Sequence, residues 1–260
     1  MQATTPSAHD LPTPGVVTFV GAGPGDPDHL TLRAARMIGA AEVVIHDRLI
    51  GPGVLDLIPA TAQRIAAGKE GFGPSTPQAD INAAMIGAAR SGARVVRLKS
   101  GDAGIFGRLE EETDALDAAG IEWRIVPGLT AAAAAAAAIG RSLTRRGRNG
   151  ALTLLTGHDA EGFAEQDWRA LARPGAVAAV YMGKRAARFV QGRLMMHGAA
   201  PDMAVTLVEN ASRADERILA TTLARLPAAA ACLDGPAIML CGLAPHETAA
   251  RLPELRKTLP

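Results

Sequence analysis

A two-lobed α/β protein, with a parallel sheet in the first lobe and a mixed sheet in the second, is the fold class this sequence predicts. Three observations carry it. Through residues 16–140 short β-rich runs alternate with longer alanine-rich segments, the pattern of parallel strands joined by crossover helices. Beyond residue 150 strand-like runs follow one another with fewer helical segments between them, so some must pair antiparallel. Between the two lies RSLTRRGRNG, 141–150, polar, basic and glycine-containing, the composition of a linker. The expected limits are a disordered tail over 1–14, a first lobe over 15–140, the linker, and a second lobe over 151–260.

In chain order, the tail MQATTPSAHDLPTP has neither a cationic start nor an apolar centre, so it does not read as a signal peptide. Strands are predicted at VVTFVG (16–21), EVVIHD (42–47), ARVVRLK (93–99) and EWRIVPG (122–128). Helices fall on TLRAARMIGAA, QADINAAMIGAARSG, RLEEETDALDAAG and LTAAAAAAAAIG, by propensity and apolar spacing. Each helical run meets a glycine shortly before the next element, the usual helix-ending chemistry. The alanine run 131–138 suits a helix packed closely on a sheet, and its first turn leaves room for a ligand. The second lobe offers ALTLLTG (151–157), AVAAVYMG (176–183), MAVTLVE (203–209), ERILATTL (216–223) and AIMLCG (237–242).

Composition narrows the function classes. Lys plus Arg number 27 and Asp plus Glu 26 in 260 residues, a formal net charge of +1, so nothing global favours nucleic acid or an anionic membrane. No apolar run reaches the roughly 18 to 20 residues of a spanning helix. The cysteines, Cys232 and Cys241, form no CxxC pattern, which argues against a disulfide scaffold or a zinc site and for a reducing cytoplasm.

The first strand runs into GAGPGD, 21–26. Against the dinucleotide fingerprint GxGxxG, the third glycine comes one position early, Asp26 stands in its place and Pro24 removes an amide donor. An acidic, amide-poor loop suits pyrophosphate badly. From this motif alone, a ligand-free tight turn stays as open as a binding loop. Lys99-Ser100-Gly101-Asp102 closes the third strand and Val126-Pro127-Gly128-Leu129-Thr130-Ala131 the fourth. These turns gather at the carboxyl ends of parallel strands, where open α/β sheets bind ligands. A neutral or cationic ligand suits them, and S-adenosylmethionine, with its sulfonium centre, meets that description.

The ordered series GAGPGDPDHLTLRA, VVIHDRL, SGDAGIFGR, VPGLTA and VYMG resembles that of the tetrapyrrole methylases over nearly the whole chain beyond the tail. Within them HDRL (46–49), AAGKEG (66–71) with PQADIN, and FGRxxEE (106–112) resemble uroporphyrinogen III C-methyltransferases. The chain departs from the common pattern in reading SGDA for GGDP, FGRLEEE for FGRGGEE and LTRR for LTHR. The resemblance implies two α/β lobes with the active site in the cleft between them, usually in a homodimer. It implies S-adenosyl-L-methionine as methyl donor, S-adenosyl-L-homocysteine as product and a tetrapyrrole substrate. Donor contacts are then expected from Pro24, Ser100, Gly101, Asp102, Ile105, Thr130, Ala131, Met182 and Ala211, with Ala237 and Met239 added from the last strand. Asp47 and Lys69 fall at the positions proposed for proton acceptor and donor, and Arg108, Glu111 and Arg146 on the substrate side, where Arg48 is also expected as a basic substrate contact. Little chain is left for a fused second catalytic lobe, so a monofunctional enzyme is expected.

The chemistry so implied moves two methyl groups to C2 and C7 of uroporphyrinogen III, giving precorrin-2 for cobalamin or sirohaem. Electron-rich pyrrole carbons attack the activated methyl, so alignment supplies much of the acceleration, on the order of 7 to 11 kcal/mol. A proton must then leave the charged ring; Asp47 is its acceptor or a stabiliser of that charge, and a structural ion pair is the alternative. Lys69 either transfers a proton or binds a substrate carboxylate. Arg48, Arg108, Arg145, Arg146 and Arg148 could line a site for an octacarboxylate, or the last three could be solvated linker. His46 carries no second ligand at metal-binding spacing. Two other readings stay open: a sister methylase of a later corrin precursor such as precorrin-4, and a non-catalytic nucleotide-binding α/β module.

Overall fold

A computed structural model describes residues 11–67, 76–159 and 162–247. The chain divides into two compact units, Met1–Thr130 and Ala131–Pro260, so the alanine helix falls in the second unit, ten residues before the linker read from the sequence. That linker is itself folded. Asn149 Nδ2 donates to the carbonyls of Leu143 and Ala151, its Oδ1 accepts from the Arg145 amide, and Arg148 Nη2 reaches the Ser142 carbonyl.

The first unit holds β1 (Val17–Gly21), β2 (Val43–Asp47), β3 (Gln63–Ala67), β4 (Val95–Lys99) and β5 (Trp123–Val126), in the parallel order β3-β2-β4-β1-β5. Every residue of β1 and β4 is buried, as expected of parallel strands covered on both faces. The sequence reading omitted β3. As an edge strand with Gln63 and Arg64 exposed, QRIAA lacks the apolar run that marks a covered strand. One face packs Val20, Val96 and Leu98 under α1 (Leu32–Gly39) and the short α2 (Pro52–Leu55). The other packs Val17, Phe19, Ile45 and Val95 under α3 (Gln78–Arg90) and α4 (Leu109–Ala118). Thr31 caps α1, its hydroxyl accepting from the Ala34 amide. Glycines follow α3 and α4 at Gly92 and Gly120.

The period of two along a strand has a functional consequence here. Val43 and Ile45 of β2 and Val95 of β4 belong to the α3/α4 face, which places Asp47, Arg97 and Lys99 on that face too.

The second unit holds α5 (Ala131–Ala138), β6 (Thr153–Thr156), α6 (Trp168–Leu171), β7 (Ala178–Tyr181), α7 (Gly183–Met196), β8 (Ala204–Glu209), β9 (Arg217–Thr222), α8 (Leu226–Ala231) and β10 (Ala237–Cys241). The sheet order is β6-β7-β10-β8-β9; β6 and β7 are parallel and the other pairs antiparallel, the mixed sheet expected. The sequence reading missed α7, whose charged residues and internal Gly192 hid a stripe of Ala186, Ala187, Val190 and Leu194 buried in the core.

Cys241 is buried in β10 and its thiol is pushed up to about 12 by desolvation, whereas Cys232 is exposed. At pH 8 a thiolate-specific disulfide reagent should therefore titrate one thiol in the folded protein and two in denaturant. Rapid reaction of two thiols before unfolding would contradict this packing.

Candidate functional site

Three turns at the carboxyl ends of β1, β4 and β5 meet with their backbones in close approach. A Cβ on Gly128 would lie 2.2 Å from the Gly101 carbonyl oxygen and 2.8 Å from Gly21 Cα. One on Gly21 would lie 2.5 Å from the Gly128 nitrogen. The loop after β2 joins them, because a Cβ on Gly51 would fall 2.0 Å from the Gly25 carbonyl oxygen. Glycine is thus required at these positions by close approach, not by any phosphate.

The destination of the turn amides supports the same conclusion. Gly23 and Gly101 exchange both backbone hydrogen bonds, at 3.1 and 2.9 Å, and the Ala22 amide donates to the Lys99 carbonyl. Asp102 accepts from the Gly104 amide with Oδ1 and from the Gly128 amide with Oδ2, both at 2.9 Å, tying two turns together. The Ser100 amide donates to Asp47 Oδ2 at 3.2 Å. Pro24, buried, has no amide to offer. A pyrophosphate needs a nest of unspent N–H groups, and these N–H groups are already donated. Gly101 has φ +71°, and a Cβ there would meet nothing within 4 Å, so open space lies beside this backbone. Asp102, whose oxygens among the described residues accept only from the Gly104 and Gly128 amides, leaves a negative charge in these turns that fits a sulfonium better than a phosphate.

Beneath it lies a group of charges. Arg97 Nη2 donates to Asp47 Oδ1 at 2.6 Å and to Glu112 Oε1 at 2.9 Å, and Arg97 Nε donates to both Glu112 oxygens at 3.2 Å. Lys99 Nζ donates to Glu112 Oε2 at 2.9 Å, and Gln78 Nε2 to Glu112 Oε1 at 3.2 Å. The side chains of Arg97, Lys99 and Glu112 are 1–3% exposed, that of Asp47 30%. Burial opposes the charge on Arg97, but the Asp47 and Glu112 carboxylates outweigh it and raise its pKa. Burial, reinforced by the Arg97 charge, lowers the Lys99 pKa despite those carboxylates. The sequence reading assigned no role to Arg97 or Glu112. The signal lay in the strand: Arg97 and Lys99, two positions apart in VVRLK, fall on one face of a wholly buried strand.

Ile105 is half-buried, its amide donating to the Asp102 carbonyl at 3.2 Å; Thr130 is half-buried at the end of its turn. His46 Nδ1 lies 3.1 Å from the Asp47 carbonyl oxygen, and Arg48 is exposed. Arg108 and Glu111, both exposed, form a bidentate pair at 2.7 and 2.5 Å. That hydrogen bonding raises the Arg108 pKa and holds the Glu111 carboxyl below its usual range. Phe106 and Arg108 have φ of +51° and +54°, strain of about 1–3 kcal/mol each that concentrates at functional loops. Lys69 lies outside the described residues.

In the second unit Met182 carries the same kind of strain, with φ +52° at the β7–α7 junction, and it is exposed. Ala131 starts α5 and is half-buried; the Ala132 amide donates to the Tyr181 hydroxyl at 3.2 Å. Ala211 is buried between Asn210 and Ser212, both at positive φ. Ala237 pairs with Glu209 across β10 and β8, and Met239 is core. Arg146 is exposed, and Arg148 is committed to its own turn. Among the described residues no group of three His, Cys, Asp or Glu side chains could hold a metal ion, and no helix is long and apolar enough to cross a membrane.

Residues 16–227 match the family model of the tetrapyrrole (corrin/porphyrin) methylases. The chain belongs to that family. This methylase is 45% identical over 233 residues to the siroheme synthase of Gluconacetobacter diazotrophicus and 42% identical over 243 residues to that of Methylococcus capsulatus, covering 88% and 92% of this chain. It spans about half the length of these curated relatives, 50% and 51%. Among solved structures it is similar to the uroporphyrin III C-methyl transferase of Thermus thermophilus, with 33% identity, a TM-score of 0.75, and coverage of 91% of this chain and 99% of that one. The same Thermus enzyme complexed with S-adenyl homocysteine matches with a TM-score of 0.74 at 33% identity. A cobalt precorrin-4 methyltransferase at 24% identity and a TM-score of 0.78 shares the fold.

Proposed function

We propose that this methylase uses S-adenosyl-L-methionine to methylate uroporphyrinogen III at C2 and C7, giving precorrin-2 for cobalamin or sirohaem biosynthesis, as a cytoplasmic homodimer. The observation that carries the reading is the spent set of turn amides at Gly23, Ser100, Gly101, Gly104 and Gly128. It disfavours phosphate and leaves a close-packed acidic backbone junction suited to a sulfonium. When bound, the donor supplies an electrophilic methyl group. In the first unit Pro24, Ser100, Gly101, Asp102, Ile105 and Thr130 would hold it, with Asp102 setting the shape of the turns. Ala131, Met182, Ala211, Ala237 and Met239 are proposed donor contacts on the resemblance alone.

Asp47 is the partly exposed member of the charged group and our proposed acceptor for the proton that leaves the methylated ring, or the stabiliser of its positive charge. Arg48, Arg108 and Arg146, exposed cations, are proposed to meet substrate carboxylates, and Glu111 to hold the Arg108 fork in its bidentate orientation. Lys69 is proposed as proton donor or carboxylate contact.

Incubating the protein with S-adenosyl-L-methionine and freshly reduced uroporphyrinogen III should give a dimethylated product, and calorimetry should show binding of S-adenosyl-L-homocysteine but not of NAD or ATP. Turnover of a later corrin precursor with none of uroporphyrinogen III would overturn the substrate; tight binding of a dinucleotide alone would overturn the donor. Asp47→Asn should lower kcat by about 100-fold or more while leaving S-adenosyl-L-homocysteine affinity within about twofold. An unchanged kcat would remove Asp47 from the chemistry.

A further inference from the structure

Glu112 follows Glu111 in LEEE, yet the two differ sharply: Glu111 is exposed and paired with exposed Arg108, whereas Glu112 is 1% exposed and receives Arg97, Lys99 and Gln78. Its carboxylate grips the Arg97 guanidinium through both Nε and Nη2, and a two-point grip on a planar fork fixes the plane as well as the position. The same Nη2 then donates to Asp47 Oδ1 at 2.6 Å. Arg97 Nη1 is committed to the Leu98 carbonyl at 3.2 Å. The guanidinium therefore has one place to sit, and Asp47 is oriented between it and the Ser100 amide.

Stability alone does not account for this group. Three side chains with charge are almost wholly withdrawn from water, and apolar residues of similar volume in such a place are often neutral or stabilising. Asp47 is the member that keeps access to solvent, at the carboxyl end of β2, where ligands of open sheets bind.

We propose that Glu112 is a positioning residue: through Arg97 it sets the orientation of the Asp47 carboxylate, with Lys99 and Gln78 holding Glu112 in place. The proposal rests on the reading that Asp47 serves the methyl transfer. Lys99 of β4 and His46, beside Asp47 in β2, are the other titratable groups near it on these elements.

Glu112→Asp is the informative variant. It keeps the negative charge, so the buried cations stay compensated, but withdraws the carboxylate by one methylene. We expect kcat for uroporphyrinogen III to fall about 10- to 100-fold, with KM for both substrates and the affinity for S-adenosyl-L-homocysteine within about twofold. In an Asp47→Asn background the same change should cost less than twofold, because residues acting as a unit are not additive. A crystal structure of Glu112→Asp should show the Arg97–Asp47 contact lengthened or lost. The inference is overturned if that contact is unchanged, if kcat is retained, if kcat falls only in step with donor affinity, or if the full loss recurs on top of Asp47→Asn. Failure of the functional reading looks different: no methylation by the unaltered protein, or an Asp47→Asn enzyme of full activity, while the crystallographic comparison still judges the network.

Discussion

Alanine at Gly128 is expected to destabilise the protein by about 3 kcal/mol or more and to abolish S-adenosyl-L-homocysteine binding. The added methyl would sit 2.2 Å from the Gly101 carbonyl oxygen and 2.8 Å from the Cα and carbonyl carbon of Gly21. All of these neighbours are backbone, so no side chain can rotate away, and relief requires moving the end of β1 or β4. Both are central and buried along their whole length, and their displacement would also break the Gly23–Gly101 pairing and the Asp102–Gly128 bond. Gly87, inside α3, provides the contrast. A Cβ there meets nothing within 4 Å, so Gly87→Ala should stabilise by about 0.5–1 kcal/mol through helix propensity. Urea unfolding of the two variants, with calorimetry on the folded fraction, checks both. A Gly128→Ala protein of unaltered stability and affinity would mean that the three turns are not in backbone contact.

Glu112→Leu should be the most costly change of a charged side chain, about 3–5 kcal/mol. It leaves Arg97 and Lys99, 3% and 2% exposed, with the partly exposed Asp47 carboxylate paired to Arg97 and the carboxylate that Lys99 met removed. The pH dependence carries a sign. Burial already lowers the Lys99 pKa below its unfolded value of 10.5. Between the lowered and the unfolded value the unfolded chain binds more protons, so stability rises with pH there. The penalty for a charged Lys99 is present in full below its folded pKa and relieved as pH approaches 10.5. Without Glu112 that folded pKa falls further, so the deficit of the variant relative to the parent should shrink on raising pH from 7 toward 10. Denaturant unfolding across that range measures it, and a deficit constant with pH would show that Lys99 does not depend on Glu112.

How much of this could be read from the chain differs by element. The first covered strand announced itself, because VTFVG is near-continuously apolar, as burial on two faces requires. Strand β3 did not, because an edge strand faces water and carries the polar residues of a loop. Helix α7 was hidden for a related reason: a stripe of Ala186, Ala187, Val190 and Leu194 holds it, and Lys184, Arg185, Arg188, Gln191 and Arg193 interrupt the apolar pattern around those positions. RSLTRRGRNG looked like a linker by composition, yet Asn149 and Arg148 bond its backbone into a turn, which composition alone does not reveal. The polyalanine helix belongs to the second unit, an affiliation that depends on which sheet it packs against.

The sequence by itself determined the fold class, the family through its ordered motifs, and the argument against a phosphate ligand, since Pro24 and the early third glycine are local features of the backbone. Only the tertiary structure decided why Gly21 and Gly128 are needed together, because residues more than a hundred positions apart reach contact only when the ends of β1 and β5 align. It also decided which glutamate of LEEE is buried and that Asp47 rests on Arg97. Strand alternation puts Asp47, Arg97 and Lys99 on one face, but the helix that crosses that face chooses Glu112 over Glu111 to meet them.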